Sequence, residues 1–187
     1  RMAGEATWIP TYFEFSFGLR DEGRDPESLE DPITVDHRFI LRGSVDLIEQ
    51  RADGSALRIT DHKTGKNRTT RDTIVGGGEV LQPVLYSAAI AQGLGRTVAE
   101  GRLYYCTTAG GFSSHPIPID DYTVKQGLQV LEVVDRAIAD GFLPAAPDER
   151  SCTWCDFRAV CGPREEERVR KKAKDRLADL ISLRSMR

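Results

Sequence analysis

Hydrophobic and polar residues alternate along the first third of the chain as they do in strands that bury one face. Apolar residues occupy odd positions between Ile33 and Leu47, which is the period of two expected for a strand. The polar pair at 36–37 fits a turn within this stretch, and Asp53-Gly54 is a strong hairpin signal before a further strand over 56–63. This region is therefore predicted to form strands joined by tight turns.

The middle of the chain combines helical and strand patterns. A polar connection ends in three consecutive glycines, and apolar residues then recur at helical spacing, with Pro83 in the first turn, where proline is tolerated. The predicted elements are a helix from Val80 to Ala89, strands over 98–108 and 112–119, and an amphipathic helix from Val124 to Phe142. This order of strands, helix, strands and helix indicates an α/β domain with a central mixed sheet.

The two ends of the chain are unlike its middle. The opening, over 8–17, is rich in aromatic residues, and the acidic segment 19–32 that follows predicts a solvated loop before the first sheet. At the other end, a charged helix is predicted from Arg164 to about Ile181. Because the chain begins with Arg1 and runs straight into the aromatic stretch, we expect it to be a piece of a longer polypeptide.

Composition narrows the class of protein. The chain has 187 residues, of which 40% are hydrophobic and 29% charged, which is enough for one soluble domain with a core. It shows neither an apolar run long enough to cross a membrane nor a secretory leader, and this predicts a cytoplasmic protein without membrane contact. The net charge of -3 argues against a basic nucleic-acid coat, although the basic segment 163–187 offers a local patch to a polyanion.

Two acids and a lysine near the ends of the predicted strands could carry chemistry. Asp61 and Lys63 are two residues apart on one strand, so their side chains point to the same side. If the hairpin turns at 53–54, Asp46 lies opposite Asp61. Paired carboxylates repel each other unless a cation lies between them, and oxygen ligands suit Mg²⁺ or Mn²⁺. The alternative is a set of ordinary strand-end charges with one salt bridge.

The spacing of these residues resembles a known family. Gly43-x-x-Asp46, Asp61-x-Lys63-Thr-Gly and Gln82-x-x-x-Tyr86 are similar to motifs of the RecB-like branch of the PD-(D/E)XK nuclease superfamily, which includes the AddB-like nuclease domains. The resemblance covers most of the chain. It implies a restriction-endonuclease-like core over 1–145, with a cysteine segment and C-terminal helix over 146–187 in the same domain.

The resemblance also implies a role for each matching residue. Asp46 and Asp61 become the acidic ligands of Mg²⁺ or Mn²⁺, with the carbonyl of His62 as a further ligand. Lys63 becomes the catalytic lysine, and Gln82 and Tyr86, one turn apart on a helix, contribute to the active site and to DNA contacts. The family adds a His or Glu from upstream of the sheet, for which Glu14 is the only nearby candidate.

Three of the four cysteines form a cluster, Cys152-x2-Cys155-x5-Cys161. Without a secretory leader, such spacing favours metal or cluster ligation over disulfides. The pattern resembles the [4Fe-4S] subset of RecB-like nucleases, with zinc as an alternative. Cys106 is the remaining cysteine and is predicted to lie within a strand, so we expect the fourth ligand to lie outside this chain. Three free buried cysteines are the remaining interpretation.

The resemblance predicts a Mg²⁺-dependent deoxyribonuclease, more an exonuclease than an endonuclease, within a larger helicase-nuclease or a DNA repair or recombination protein. Its partners would be DNA and a helicase-like motor, which must lie elsewhere because the sequence has no Walker motif. One alternative is a nuclease-fold module that binds DNA or acts as a scaffold without cleavage. The other is a zinc-stabilised interaction domain, which would leave the grouping of Asp46, Asp61 and Lys63 to chance.

Overall fold

The computed structural model describes residues 7–20, 22–147 and 151–187. Within these residues there are seven strands and five α-helices. The strands are β1 (Trp8–Phe17), β2 (Ile33–Val35), β3 (Phe39–Leu41), β4 (Gly43–Arg51), β5 (Leu57–Lys63), β6 (Val98–Tyr105) and β7 (Ser114–Pro118). The helices are α1 (Gln82–Leu94), α2 (Asp121–Ala139), α3 (Arg158–Cys161), α4 (Glu165–Val169) and α5 (Ala178–Arg184).

Five strands form one mixed sheet in the order β1-β4-β5-β6-β7, and β2 and β3 form a separate hairpin. Within the five-stranded sheet, β5 and β6 are parallel and the other neighbours are antiparallel. The predicted α/β class with a central mixed sheet is therefore confirmed. Since a parallel pair needs a crossover connection, α1 lies between β5 and β6 in the chain.

The turn at Asp53-Gly54 sets the register of the β4–β5 hairpin. The main-chain N–H and the hydroxyl of Ser55 both donate to Asp53 Oδ1, at 2.9 and 2.6 Å, and Gly54 adopts a positive φ of 76°, which glycine reaches without steric cost. Leu47 then pairs with Thr60. The predicted register is confirmed over these paired residues, and Asp46 and Asp61 follow directly beyond its last pair.

Helix α1 packs closely on the sheet because β6 has a glycine where the helix begins. A Cβ atom at Gly101 would lie 2.5 Å from the Pro83 carbonyl oxygen, a distance that no side chain could occupy. Pro83 itself lies in the first turn, as predicted. The hydrophobic core under the helix includes Phe15, Phe17, Val45, Ile48, Leu57, Ile59, Ala89 and Ile90. This packing holds the start of α1 against the sheet.

The aromatic opening of the chain differs from its prediction. It does not precede the sheet but forms its edge strand β1, which pairs with β4 beyond the irregular segment 19–32. Phe15 and Phe17 are fully buried, so burial of aromatic surface explains why this segment joins the sheet. A register shift between Pro10 and Tyr12 interrupts the strand over residues 8–17, so the sequence there does not show the period of two that predicts a strand.

The C-terminal segment also differs from its prediction of one continuous helix over 164–181. It is divided into α4, a short 3-10 turn at Asp175–Leu177, and α5. Four of the five residues over 170–174 are basic, and a continuous helix would stack Arg170 on Lys174, which like charges disfavour.

By its internal contacts the chain divides into two compact units, Arg1–Gln129 with Met186–Arg187, and Val130–Ser185. The functional division into 1–145 and 146–187 stays a prediction. Among the described residues, no helix has the length and apolar character needed to cross a membrane.

Candidate active site

The end of β5 brings Asp61 and Lys63 into contact. Lys63 Nζ lies 2.7 Å from Asp61 Oδ2 and also donates to Gln82 Oε1 at 2.5 Å. Asp61 is only 4% exposed, whereas the Lys63 side chain is 35% exposed. Gln82 is the first residue of α1. Because α1 packs closely on β6, the side-chain amide of Gln82 lies next to Lys63. The structure therefore groups three of the predicted site residues around one ammonium group.

Asp61 is an acid with too few partners. Burial raises the pKa of its carboxyl, the neighbouring Asp46 charge adds to the rise, and the hydrogen bond and charge of Lys63 lower the pKa only in part. Within the described chain, the buried Oδ2 atom accepts no hydrogen bond of regular geometry, although Lys63 is near it. A buried charged oxygen without hydrogen bonds is costly. The Lys63 ammonium at 2.7 Å offsets part of that cost, and a cation shared with Asp46 would offset more.

Asp46 lies where the β4–β5 ladder opens. Regular pairing stops at Leu47 and Thr60, and beyond it the Asp46 carboxylate accepts a hydrogen bond from the main-chain N–H of His62 at 2.6 Å. The His62 ring is less closely placed, with Nδ1 3.6 Å from Asp46 Oδ2. Because the N–H and C=O of one strand residue point to the same side, the His62 carbonyl also faces β4. The predicted carbonyl ligand thus faces the strand that carries Asp46.

Tyr86 supports the strand that carries Asp46. Its ring packs edge-on against Phe17, with ring centroids 5.8 Å apart, and covers Gly43, where an added Cβ atom would lie 2.8 Å from Tyr86 Cε1. This contact gives a physical reason for glycine at the start of the Gly43-x-x-Asp46 motif. Tyr86 is a partly buried aromatic of the core, and its contribution to DNA contacts stays a prediction.

The two carboxylates suit a hard divalent cation that keeps much of its water. Mg²⁺ is commonly bound by one or two protein carboxylates together with water and substrate phosphates, and the under-satisfied oxygen of Asp61 fits that chemistry. Over the described ranges, no group of three or more His, Cys, Asp or Glu side chains could hold a metal ion. Glu14 is exposed on β1, with a positive φ of 51°, and is not part of such a group.

The predicted cysteine site is not assembled as a metal centre in the described part of the chain. Cys152, Cys155 and Cys161 do line one cavity of about 560 Å³. Partial desolvation and the neighbouring charge of Glu166 raise the pKa of the Cys152 thiol, which disfavours the thiolate that metals require. The cysteines are thus near one another, and ligation of a cluster stays a prediction.

A second group of buried charges lies on the other side of the sheet. Glu49 accepts hydrogen bonds from Arg58, Arg102 and Thr60, at distances from 2.7 to 3.0 Å. Burial opposes ionisation of Glu49, but these bonds and the two arginine charges outweigh burial, and its pKa is lowered. Thr60 falls between Ile59 and Asp61 on β5, so this network occupies the face opposite Asp61.

The residues that anchor the segment after Lys63 were not identified from the sequence. Cys106 donates its main-chain N–H to the Lys63 carbonyl at 3.0 Å, and Thr107 Oγ1 donates to the Thr64 carbonyl at 2.9 Å. Cys106 follows the last residue of β6 rather than lying within it. No local pattern could have revealed these contacts, because they follow from the parallel pairing of β5 with β6.

The comparison with protein families agrees with this geometry. The sequence profile of the PD-(D/E)XK nuclease superfamily matches residues 2–162, a range that includes every candidate residue from Asp46 to Cys161. The chain therefore belongs to the PD-(D/E)XK nuclease superfamily, and its mixed sheet with flanking helices is consistent with the restriction-endonuclease-like fold. No curated protein matches the sequence significantly.

Proposed function

We propose that this chain is a Mg²⁺- or Mn²⁺-dependent nuclease domain that hydrolyses phosphodiester bonds in DNA, with Asp46, Asp61 and Lys63 at its active site. The observation that carries the proposal is the Lys63 ammonium group, held between the buried Asp61 carboxylate and the amide oxygen of Gln82. Membership of a nuclease superfamily supports the same reaction class. Perturbed acids in such settings are typical of catalytic sites.

In this proposal one set of protein groups binds the metal, and Lys63 stabilises negative charge on the phosphate. Asp46, Asp61 and the His62 carbonyl hold the divalent ion. When bound, such an ion lowers the pKa of its water and offsets negative charge on the phosphate. Lys63 directs its ammonium group at the charge that develops on the phosphate oxygens. Its partial exposure leaves room for a substrate phosphate.

Gln82 acts as a positioning residue for Lys63. A neutral amide oxygen fixes the direction of the ammonium group without neutralising its charge, whereas a carboxylate at the same place would do both. Without Gln82, Asp61 would be the one close partner left to Lys63 among the described residues. Gln82→Ala is therefore expected to lower kcat more than it raises KM, and Gln82→Asn to recover less than the full rate because its side chain is shorter.

The RecB-like and AddB-like motifs support the finer part of the proposal. Gly43, Asp46, Gln82 and Tyr86 stand at the family spacing, which favours an exonuclease that acts on ends delivered by a helicase-like motor in a repair or recombination protein. The cysteine segment belongs to the same proposal, with Cys152, Cys155 and Cys161 as ligands of a [4Fe-4S] cluster or of zinc, and a fourth ligand outside this chain. Iron and zinc analysis of anaerobically purified protein, with Cys155→Ala as the comparison, tests that assignment.

The cleavage test uses end-labelled single-stranded and duplex DNA with Mg²⁺, Mn²⁺ or EDTA. We expect wild type to cleave only with a divalent ion, Lys63→Ala and Asp61→Ala to lose cleavage, and Lys125→Ala, which removes an exposed lysine of α2, to keep it. Metal-dependent cleavage that survives in both active-site variants would rule out this site. Wild type that binds DNA but never cleaves it would instead support the inactive binding module.

A further inference from the structure

A second group of basic residues lies immediately beyond the candidate active site. A cavity of about 290 Å³ opens beside Lys63, and the loop that follows β5 forms much of its wall. Its charged lining residues are Lys63, Lys66, Arg68 and Glu79. Lys63 therefore belongs both to the candidate active site and to this cavity.

Basic side chains outnumber acidic ones in this cavity. Lys63 is paired with Asp61, but within the described part of the chain Lys66 and Arg68 have no acidic group within 4.0 Å. Glu79 is the acidic residue among those lining the cavity. Two basic side chains against one acid leave an excess of positive charge, which attracts a phosphate rather than a cation or an apolar group.

The loop that carries these basic residues is held in place by side-chain hydrogen bonds. Asn67, which lies between them, accepts from the N–H and hydroxyl of Thr69 at 2.9 and 2.7 Å and donates to Ser113 Oγ at 2.9 Å. Thr107 anchors Thr64 at the start of the loop. An anchored loop loses less conformational freedom when it binds a ligand, so its basic groups can bind more tightly than those of a free loop.

The far wall of the cavity is also fixed. Gly76, which lines the cavity, donates its N–H to the Arg187 carbonyl at 3.1 Å, and Val75 and Gly77 donate to the carbonyls of Arg187 and Met186. On the same side, His115 Nε2 lies 2.8 Å from the Thr73 carbonyl. The cavity thus has defined walls on both sides.

We propose that this cavity is a phosphate subsite, in which Lys66 and Arg68 bind a backbone phosphate of the DNA strand next to the phosphate that is cleaved. The proposal rests on the proposed nuclease function, because the scissile phosphate is placed at Lys63. A strand with one phosphate at Lys63 brings its neighbouring phosphate to the cavity that Lys63 also lines. The subsite would fix the register of the strand without reading its bases.

The test measures DNA binding in EDTA, where no cleavage interferes, by fluorescence anisotropy of labelled single-stranded and duplex oligonucleotides over a series of salt concentrations. The double variant Lys66→Ala/Arg68→Ala removes the proposed phosphate ligands. Arg71→Ala is the matched control, because Arg71 is an exposed cation of the same loop that does not line the cavity. Thermal melts of all three proteins confirm that folding is unchanged.

We expect the double variant to bind single-stranded DNA at least about tenfold more weakly, and the slope of log affinity against log salt to fall by about 0.7 for each phosphate that the variant no longer binds. Arg71→Ala should stay within about twofold of wild type. Replacing single linkages by neutral methylphosphonate should identify one position that weakens wild type and leaves the double variant unaffected. The subsite would be overturned if the double variant and Arg71→Ala had the same DNA affinity and the same salt slope. It would also be overturned if the double variant bound DNA more weakly but no single methylphosphonate position accounted for the loss.

The outcomes separate this inference from the proposed function. If wild type cleaves DNA with Mg²⁺ but the double variant binds as wild type does, the subsite is wrong and the nuclease proposal stands. If binding depends on one linkage through Lys66 and Arg68 but wild type never cleaves, the subsite stands and the nuclease proposal fails.

Discussion

The two faces of the sheet each hold a buried acid beside basic side chains, and the two acids have opposite surroundings. Glu49 accepts hydrogen bonds from Arg58, Arg102 and Thr60, and its pKa is lowered. Asp61 has a single ion-pair partner among the described residues, Lys63 at 2.7 Å, and burial raises its pKa. The same sheet thus satisfies one acid and leaves the other short of partners.

This difference separates a structural charge network from a candidate catalytic one. Removing one partner of a buried ion pair strongly destabilises the fold. Because the carboxylate oxygens of Glu49 are all bonded, this network needs no further ligand. An under-satisfied acid costs stability and persists where function requires it. The comparison therefore supports the proposal that the Asp61 face carries the chemistry, and the Glu49 network stabilises the fold.

The largest expected effect is on catalysis at the Asp61 face. Lys63→Ala should lower the cleavage rate by about 10²–10³-fold, because the variant loses a charge that stabilises the transition state, and Asp61→Asn by at least as much. In metal-free buffer Asp61→Asn should melt at or above the wild-type temperature, whereas Lys63→Ala should melt lower because it leaves the buried Asp61 carboxylate without its ion-pair partner. Steady-state cleavage of labelled DNA at a temperature where every variant is folded measures the effect.

Glu49→Gln is the matched control, since it makes the same acid-to-amide change on the other face. Its cleavage rate per folded molecule should equal that of wild type. A loss as large as that of Asp61→Asn would remove the distinction between the two faces.

The next effect is on stability at the Glu49 face. Glu49→Gln should lower the free energy of unfolding by about 3 kcal/mol at neutral pH, because two partly buried arginines lose the Glu49 carboxylate and only Arg58 keeps another acidic partner, Glu100 at 3.5 Å. Urea denaturation followed by circular dichroism provides the measurement. A change below about 1 kcal/mol, the value typical of surface pairs, would show that the network is screened by solvent.

The smallest effect is a difference in how the two acids respond to pH in metal-free buffer. The Glu49 pKa is lowered from 4.5, so its stabilisation is present above pH 4.5 and is lost as the pH falls through the folded-state value. The Asp61 pKa is raised from 3.8, so ionisation of this group removes stability as the pH rises above 3.8. The two acids therefore act in opposite directions.

Urea denaturation between pH 3 and pH 7 detects this difference. Relative to wild type, Glu49→Gln should lose stability as the pH rises to 4.5, and Asp61→Asn should gain it as the pH rises above 3.8. Parallel curves for the two variants would contradict the opposite pKa directions.

Much of this site could be predicted from local sequence signals. The Asp53-Gly54 turn fixed which residues of β4 and β5 face each other, and period-two spacing set Asp61 and Lys63 on one side. Apolar spacing predicted a helix from Val80, which begins at Gln82, and the family motif put Gln82 and Tyr86 on it; the contact of Gln82 with Lys63 is seen only in the structure. These features lie within a short hairpin or follow from a family motif, so the local sequence is enough to predict them.

What could not be predicted depends on partners distant in the chain. The edge position of β1 requires pairing across the irregular segment 19–32, and the Glu49 network joins β4 to Arg102 of β6. The opened ladder at Asp46 arises because its carboxylate takes the His62 N–H, which strand periodicity cannot show. The predicted continuous C-terminal helix was wrong because repulsion among the basic residues over 170–174 disfavours it.

Asp61 is expected to bind a divalent cation together with Asp46, and unfolding measured against Mg²⁺ concentration shows whether it does. Without Mg²⁺, Asp61→Asn should be as stable as wild type or more so. With Mg²⁺ at about 100 times its Kd, wild type should gain about 2.7 kcal/mol and Asp61→Asn almost nothing, so that the order of stability reverses, while Glu49→Gln keeps the full gain. An equal gain in wild type and Asp61→Asn would place the ion elsewhere and contradict the account.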